Sequence, residues 1–175
     1  SPIMQKTPGS FYVLYGEEDY LRRHYLSMLK KQLLDELTED FNYHRLTQEN
    51  LSAQLLYDSI EAIPMMSERS LVQVDDVDLF LLPEAERNKI AETLSDLPDY
   101  CCLVLTYSAT EFKPDKRMKK LWDVMQKNAV QVEFRYQSER DLKAWVVRHF
   151  RAKNKTISPQ TCDYLLRYCG VSMTH

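Results

Sequence analysis

Glycine is scarce in this chain, which has only Gly9, Gly16 and Gly170 among its 175 residues. The phosphate loop of P-loop proteins, GxxxxGKS/T, needs glycines so that backbone N–H groups can approach phosphate, and a lysine that neutralises it. From Gly16 the sequence is GEEDYLRRH, with no second glycine and no lysine at the required step. The three acids in this turn suit the N-terminus of a helix and would repel a triphosphate. We therefore expect the chain to bind no nucleotide, no metal ion and no other cofactor.

Long hydrophobic runs are also missing. No apolar run approaches the ~20 residues that a transmembrane helix needs. The first ten residues, SPIMQKTPGS, are too polar for a signal peptide. We interpret residues 1–10 as a loose leader or as residues added for expression, and we expect no association with a membrane.

The four cysteines do not form a metal-binding pattern, because none of them makes a CxxC pair and no histidine lies at a zinc-ligand spacing from them. Cys101 and Cys102 are adjacent in an apolar run, and Cys162 and Cys169 are seven residues apart on one helical face. We interpret all four as core thiols, which is typical of a protein of the reducing cytoplasm.

Short apolar runs alternate with helical patterns from residue 11 to residue 134. Five runs are typical of strands, at residues 11–15, 41–46, 71–74, 101–106 and 129–134. Between them we expect helices at residues 18–36, from a cap at Asn50 to a stop at Pro64, from Pro83 to Pro98, and from Pro114 and Asp115 onward. This βαβαβαβαβ order predicts an α/β fold in which a parallel five-stranded sheet lies between helix layers.

The pattern changes after Phe134, where helix follows helix with no further strand. Ser138 and Asp141 resemble a capping box, and a second helix begins at Ser158 and ends at Gly170. We therefore divide the chain into an α/β domain at residues 11–136 and the start of a small all-α domain at residues 137–175. The second unit is too short to bury a core of its own, so we expect it to be truncated.

A second feature of nucleotide-binding proteins occurs at residues 71–78, LVQVDDVD, since ATPases hold Mg²⁺ with acids at the end of an apolar strand. Without a phosphate loop opposite, we interpret Asp75 and Asp76 as caps of a turn or a helix. A P-loop-type enzyme with an atypical loop remains the alternative, and binding of nucleotide with Mg²⁺ would distinguish it. The histidines have no serine or cysteine nucleophile at a recognisable spacing, so we identify no catalytic group.

The charge is unevenly distributed, although the net charge is only −3. Residues 1–110 hold 9 Lys and Arg against 19 Asp and Glu, whereas residues 111–175 hold 14 against 7. The basic runs at residues 113–120 and 148–155 raise a second alternative, a DNA-binding module. The neighbouring aromatics Trp122, Trp145 and Phe150 are at helical spacing, so we interpret them as core residues and not as platforms for bases.

Three segments in order resemble a known family. They are YGEEDYL after the first strand, IPMMSERSLVQVDD in the middle of the chain, and KRMKKLW in the last α/β helix. Together with the missing phosphate loop, they resemble the delta subunit of bacterial DNA polymerase III, a subunit of the clamp loader. The resemblance covers residues 11–175.

This resemblance implies an AAA+-like domain with a degenerate nucleotide site, followed by the start of a helical lid domain. It also implies a function without catalysis. The family's delta subunit binds the ring-shaped sliding clamp and opens it for loading onto DNA, while ATP binding and polymerase activity reside in other subunits. The implied partners are the clamp, the other clamp-loader subunits and, indirectly within the assembly, DNA.

The family contacts the clamp through two large apolar residues, typically leucine then phenylalanine, at the end of a helix. In this sequence the pair falls on Met65 and Met66, with Pro64 before it and Arg69 shortly after it. Methionine is flexible and polarizable, so it can still fill an apolar pocket. The resemblance therefore implies a clamp-binding site at Pro64, Met65, Met66 and Arg69, and their position in a short connection predicts exposure. The alternative is that both methionines tuck under as a helix–strand corner.

Overall fold

The computed structural model describes residues 11–135 together with residue 147. Its strands are β1 (Phe11–Tyr15), β2 (Tyr43–Thr47), β3 (Ser70–Asp75), β4 (Cys101–Thr106) and β5 (Ala129–Glu133). Its helices are α1 (Asp19–Leu33), α2 (Glu39–Asn42), α3 (Ala53–Glu61), α4 (Glu84–Ser95) and α5 (Lys119–Asn128), with a 3-10 helix at Leu79–Leu81.

The five strands form one parallel sheet in the order β2-β3-β4-β1-β5. All six residues of the central strand β4 are buried, as expected when helices cover both faces. Residues of α1 such as Leu21 and Leu29 pack on one face, and residues of α3, α4 and α5 such as Leu56, Ile90 and Met125 pack on the other. The predicted parallel five-stranded sheet between helices is confirmed.

The connection between α1 and β2 differs from the prediction. The first helix ends at Leu33 and not at Glu36, and residues 41 and 42 lie in a short helix instead of a strand. The N–H groups of Phe41 and Asn42 both donate to the carbonyl of Thr38, which closes a helical turn before β2 begins. The alternation of residue types over residues 41–46 predicted a strand, but only residues 43–46 belong to one.

Two predicted helix starts are also wrong. Helix α3 is capped by Ser52, whose hydroxyl accepts from the N–H of Leu55, while the Asn50 side chain accepts from the N–H of Thr47 in the preceding turn. Helix α5 begins at Lys119, because Asp115 forms a separate turn in which its carbonyl accepts from the N–H of Met118. Asn50 and Asp115 both bond locally outside a helix, as short polar side chains often do.

Several sequence-based predictions lie outside the described residues. They are the leader at residues 1–10, the helical unit at residues 137–175, and Cys162 and Cys169. The other two cysteines are confirmed as buried free thiols of β4. Burial raises the pKa of the Cys101 thiol to about 11, so it stays protonated at neutral pH.

Candidate functional site

The turn between β1 and α1 is closed by the chain's own backbone. Gly16 has a φ of +125°, and a Cβ atom at this position would lie 2.2 Å from the carbonyl oxygen of Phe134. The N–H of Phe134 donates to the carbonyl of Tyr15 at 2.7 Å, and the N–H of Glu18 donates to the carbonyl of Phe134 at 3.0 Å. The glycine of this turn therefore permits close packing of the segment that follows β5.

The N-terminal end of α1, where P-loop proteins bind phosphate, holds side chains of the helix itself. Glu18 is buried, and its carboxylate accepts from the N–H of Leu21 at 3.3 Å. Arg22 is also buried, and its guanidinium donates to the hydroxyl of Thr106 at the end of β4 and to the carboxylate of Asp19. This arrangement binds α1 to the sheet at the position of a phosphate site.

The two acids at the end of β3 also have structural partners. Asp75 forms an ion pair with Arg45 of β2. Asp76 has a φ of 53°, and its carboxylate accepts from the N–H groups of Ser108 at 2.7 Å and Thr110 at 3.1 Å. Burial alone would raise the pKa of Asp76, but these hydrogen bonds hold that pKa below its usual range. The prediction of a cap is confirmed for Asp76 and wrong for Asp75, whose carboxylate accepts from the side chains of Arg45 and Gln73. Within residues 11–135 no cluster of His, Cys, Asp and Glu is arranged to hold a metal ion.

A second region lies at the opposite end of the sheet, where the strands begin, and its apolar side chains are not covered in this way. We call residues 62–69, which connect α3 to β3, the methionine corner. The side chain of Met65 is 55% exposed and that of Met66 is 90% exposed. Their predicted exposure is confirmed, and the alternative that they tuck under is wrong. Pro64 and Arg69 are half-buried beside them, and α3 ends at Glu61, three residues before the predicted stop at Pro64.

The methionine corner is fixed to the body of the domain by Asn42, the last residue of α2. The Oδ1 atom of Asn42 accepts from the N–H of Met65 at 2.7 Å, and its Nδ2 atom donates to the carbonyl of Met65 at 2.8 Å. Asn42 is only 1% exposed. Sequence reasoning missed this residue because its partner is 23 residues away and because residue 42 was assigned to a strand.

The backbone at Met66 has a φ of 53°, in the left-handed region. Residues other than glycine adopt this conformation rarely, and it concentrates at functional positions. A cleft of about 510 Å³ lies beside the side chain, between residues 66–69 and residues 32–35, which form the C-terminal end of α1 and the two residues after it. The corner therefore combines an exposed apolar side chain with an adjacent recess.

Other apolar side chains are exposed around the methionine corner. Ile63 belongs to the corner itself, and Leu37 and Phe41 lie in the connection between α1 and β2. This connection emerges at the same edge of the sheet, because β2 and β3 are parallel neighbours in which Tyr43 pairs with Leu71. Because exposed apolar patches mark interaction sites in soluble proteins, this end of the sheet is a candidate interaction surface. In the described part of the chain, no helix has the length and hydropathy to cross a membrane.

A family model and a curated relative both relate this chain to the same kind of protein. Residues 12–135 match the family described as DNA polymerase III, delta subunit. The chain is 29% identical over 160 residues to the DNA polymerase III subunit delta of Bacillus subtilis, an alignment that covers 89% of this chain and 46% of the relative.

Solved structures show the same fold. The Bacillus subtilis DNA clamp loader delta protein (YqeN) superposes with a TM-score of 0.67 at 25% identity, over 89% of this chain and 47% of that protein. A DNA polymerase III gamma subunit-related protein from Thermotoga maritima has a TM-score of 0.53 at 17% identity, over 89% of this chain and 52% of that protein, and shows the fold alone. The chain thus spans about half the length of these relatives. By its family match over most of the α/β domain, the chain belongs to the delta subunit family of DNA polymerase III.

Proposed function

We propose that this chain binds the sliding clamp through the methionine corner, and that the longer protein uses this contact to open the clamp for loading onto DNA. The observation that carries the proposal is the exposure of two adjacent methionine side chains on a corner whose backbone is held by a buried asparagine. The similarity to a DNA clamp loader delta protein supports the same class of partner.

Burial of the two methionine side chains would contribute favourably to binding. Burying two methionine side chains in a partner's pocket contributes roughly 3–6 kcal/mol before the cost of ordering them is subtracted. The pocket must be apolar and adaptable in shape, because methionine has no aromatic ring to stack and fills space by rotating its flexible chain. In this proposal Pro64 and Arg69 flank the pair and complete the contact surface.

We propose that the chain has no catalytic activity of its own and acts as one subunit of an assembly. The packing of Phe134 against Gly16 and the positions of Glu18 and Arg22 support this reading over a P-loop-type enzyme, because they occupy the N-terminal end of α1. The other clamp-loader subunits are the remaining partners, and the α/β unit of residues 11–136 carries the clamp contact ahead of a helical lid at residues 137–175.

The DNA-binding alternative receives less support from the described residues. Trp122 is buried in the core and is not placed to stack on a base. Two of the basic side chains near it have acidic partners, since Lys120 pairs with Glu92 and Arg117 pairs with Asp115. We therefore propose that any contact with DNA is indirect, through the assembly.

The test is a titration of the chain against the sliding clamp of the same organism, with Met65→Ala and Met66→Ala combined in one variant. We expect the affinity to fall about a hundredfold, since each ~1.4 kcal/mol corresponds to a factor of ten. The melting temperature should stay unchanged, because both side chains are exposed. Leu81→Ala is the matched control, because it removes another exposed apolar side chain, one that follows the C-terminal end of β3, whereas the methionine corner precedes its N-terminal end. An unchanged affinity in the methionine variant would contradict the proposal.

A further inference from the structure

We propose that Asn42 is the positioning residue of the methionine corner, holding the backbone of Met65 so that both methionine side chains are presented to a partner. This inference rests on the proposed clamp contact, which it deepens. It concerns a side chain that does not reach the partner itself, because Asn42 is almost completely buried.

The chemistry of the contact is specific to a carboxamide. The side chain of Asn42 offers an acceptor and a donor in one plane, and it uses both on the N–H and the carbonyl of a single residue, Met65, at 2.7 and 2.8 Å. An aspartate at this position lacks the donor, and an alanine lacks both groups. The two bonds join the end of α2 to the methionine corner, two segments that are 23 residues apart in sequence.

The consequence for Met66 follows from the backbone. With both polar groups of Met65 held, the peptide plane leading into Met66 is fixed, and the chain turns there with a φ of 53°. Without the two bonds, the peptide before Met66 loses both hydrogen bonds to Asn42, and we expect the corner to populate other turns, because a residue other than glycine adopts this conformation rarely. A binding site that is competent for only a fraction of the time has an affinity reduced by that fraction.

The experiment is a mutant cycle read as clamp affinity. The four proteins are the unaltered chain, Asn42→Ala, Met65→Ala with Met66→Ala, and all three changes together. The methionine changes keep the hydrogen bonds of Asn42, because those bonds involve only the backbone of Met65. Affinity for the sliding clamp of the same organism is measured at a temperature at which circular dichroism shows each protein folded.

We expect Asn42→Ala to weaken clamp binding about tenfold in the unaltered chain, as for a competent fraction of about one tenth. In the chain without the two methionine side chains, the same change should weaken binding less than about twofold, because positioning has no effect when there is nothing to position. Asn128→Ala is the matched control. It removes another carboxamide that donates to a backbone carbonyl, that of Leu94 at 3.0 Å, and should leave clamp affinity unchanged.

The possible results separate a failure of the inference about Asn42 from a failure of the proposed clamp contact. An unchanged affinity in Asn42→Ala, or a tenfold loss that persists without the methionine side chains, overturns the inference but leaves the clamp contact standing. Failure of the unaltered chain to bind, or a methionine variant that binds normally, overturns both. Where Asn42→Ala does not fold, Asn42→Asp takes its place in the cycle, since it keeps the acceptor and removes the donor, and the same requirement of non-additivity applies.

Discussion

Two turns lie at opposite ends of the same parallel sheet. The turn between β1 and α1 is at the carboxyl ends of the strands, and the methionine corner is at their amino ends. Both contain a residue with positive φ, Gly16 at +125° and Met66 at 53°. At Gly16 the backbone packs directly against Phe134, and the nearby side chains of Glu18 and Arg22 form hydrogen bonds within the domain. At Met66 the side chain is exposed and the backbone before it is held by Asn42.

A positive φ therefore has different surroundings in the two regions. The positive φ of Gly16 permits close packing within the domain, whereas the positive φ of Met66 accompanies an apolar side chain that is exposed to solvent. At the carboxyl ends of the strands, where other α/β proteins bind phosphate, side chains of this domain pack on one another, whereas the amino ends carry the exposed methionine pair.

The largest effect on stability is expected from Gly16→Ala. The added Cβ would lie 2.2 Å from a backbone oxygen that cannot move without displacing the segment after β5. The positive φ adds strain, so the free energy of unfolding should fall by about 3 kcal/mol or more. Denaturant unfolding followed by circular dichroism measures this loss. Glu17→Ala, at the exposed neighbouring position, is the control, and a Gly16→Ala protein as stable as that control would refute the self-packing account.

A smaller effect is expected from Asp76→Asn. Because the pKa of Asp76 is lowered in the folded state, its carboxylate contributes stability that is fully present above the unfolded pKa of about 3.9 and is lost as the pH falls through the lower folded value. Asparagine keeps an acceptor and tolerates the left-handed backbone. We expect a loss of about 1 kcal/mol at pH 7, since hydrogen bonds to charged groups are the stronger ones.

The measurement for Asp76 is unfolding by denaturant at a series of pH values from 7 down to 3. The unaltered chain and Asp76→Asn should differ at neutral pH and converge as the pH falls. Two curves that stay parallel over the whole range would show that the carboxylate contributes nothing to the closure of this edge.

Much of the fold was predictable because buried parallel strands are continuous apolar runs. The run at residues 101–106 became β4 without adjustment, and residues 11–15 became β1. The region before β2 was not predictable in this way, since Phe41 is exposed and Asn42 is buried, the reverse of what their polarity suggests.

The candidate site was only partly predictable for a related reason. Two adjacent methionines between a helix stop and a strand are visible in the sequence, and they predicted the exposed pair. The hydrogen bonds between Asn42 and Met65 join distant segments, so no local pattern encodes them. The left-handed backbone at Met66 was equally hidden, because the usual signal for that conformation is glycine or asparagine.

The most direct test is amide hydrogen exchange of the chain, measured alone, with the sliding clamp of the same organism, and with ATP and Mg²⁺. We expect the clamp to slow exchange in the methionine corner, residues 62–69, and to leave residues 16–22 unchanged, while nucleotide changes neither segment. Protection of residues 16–22 by nucleotide, or a clamp complex that leaves residues 62–69 unprotected, would contradict it.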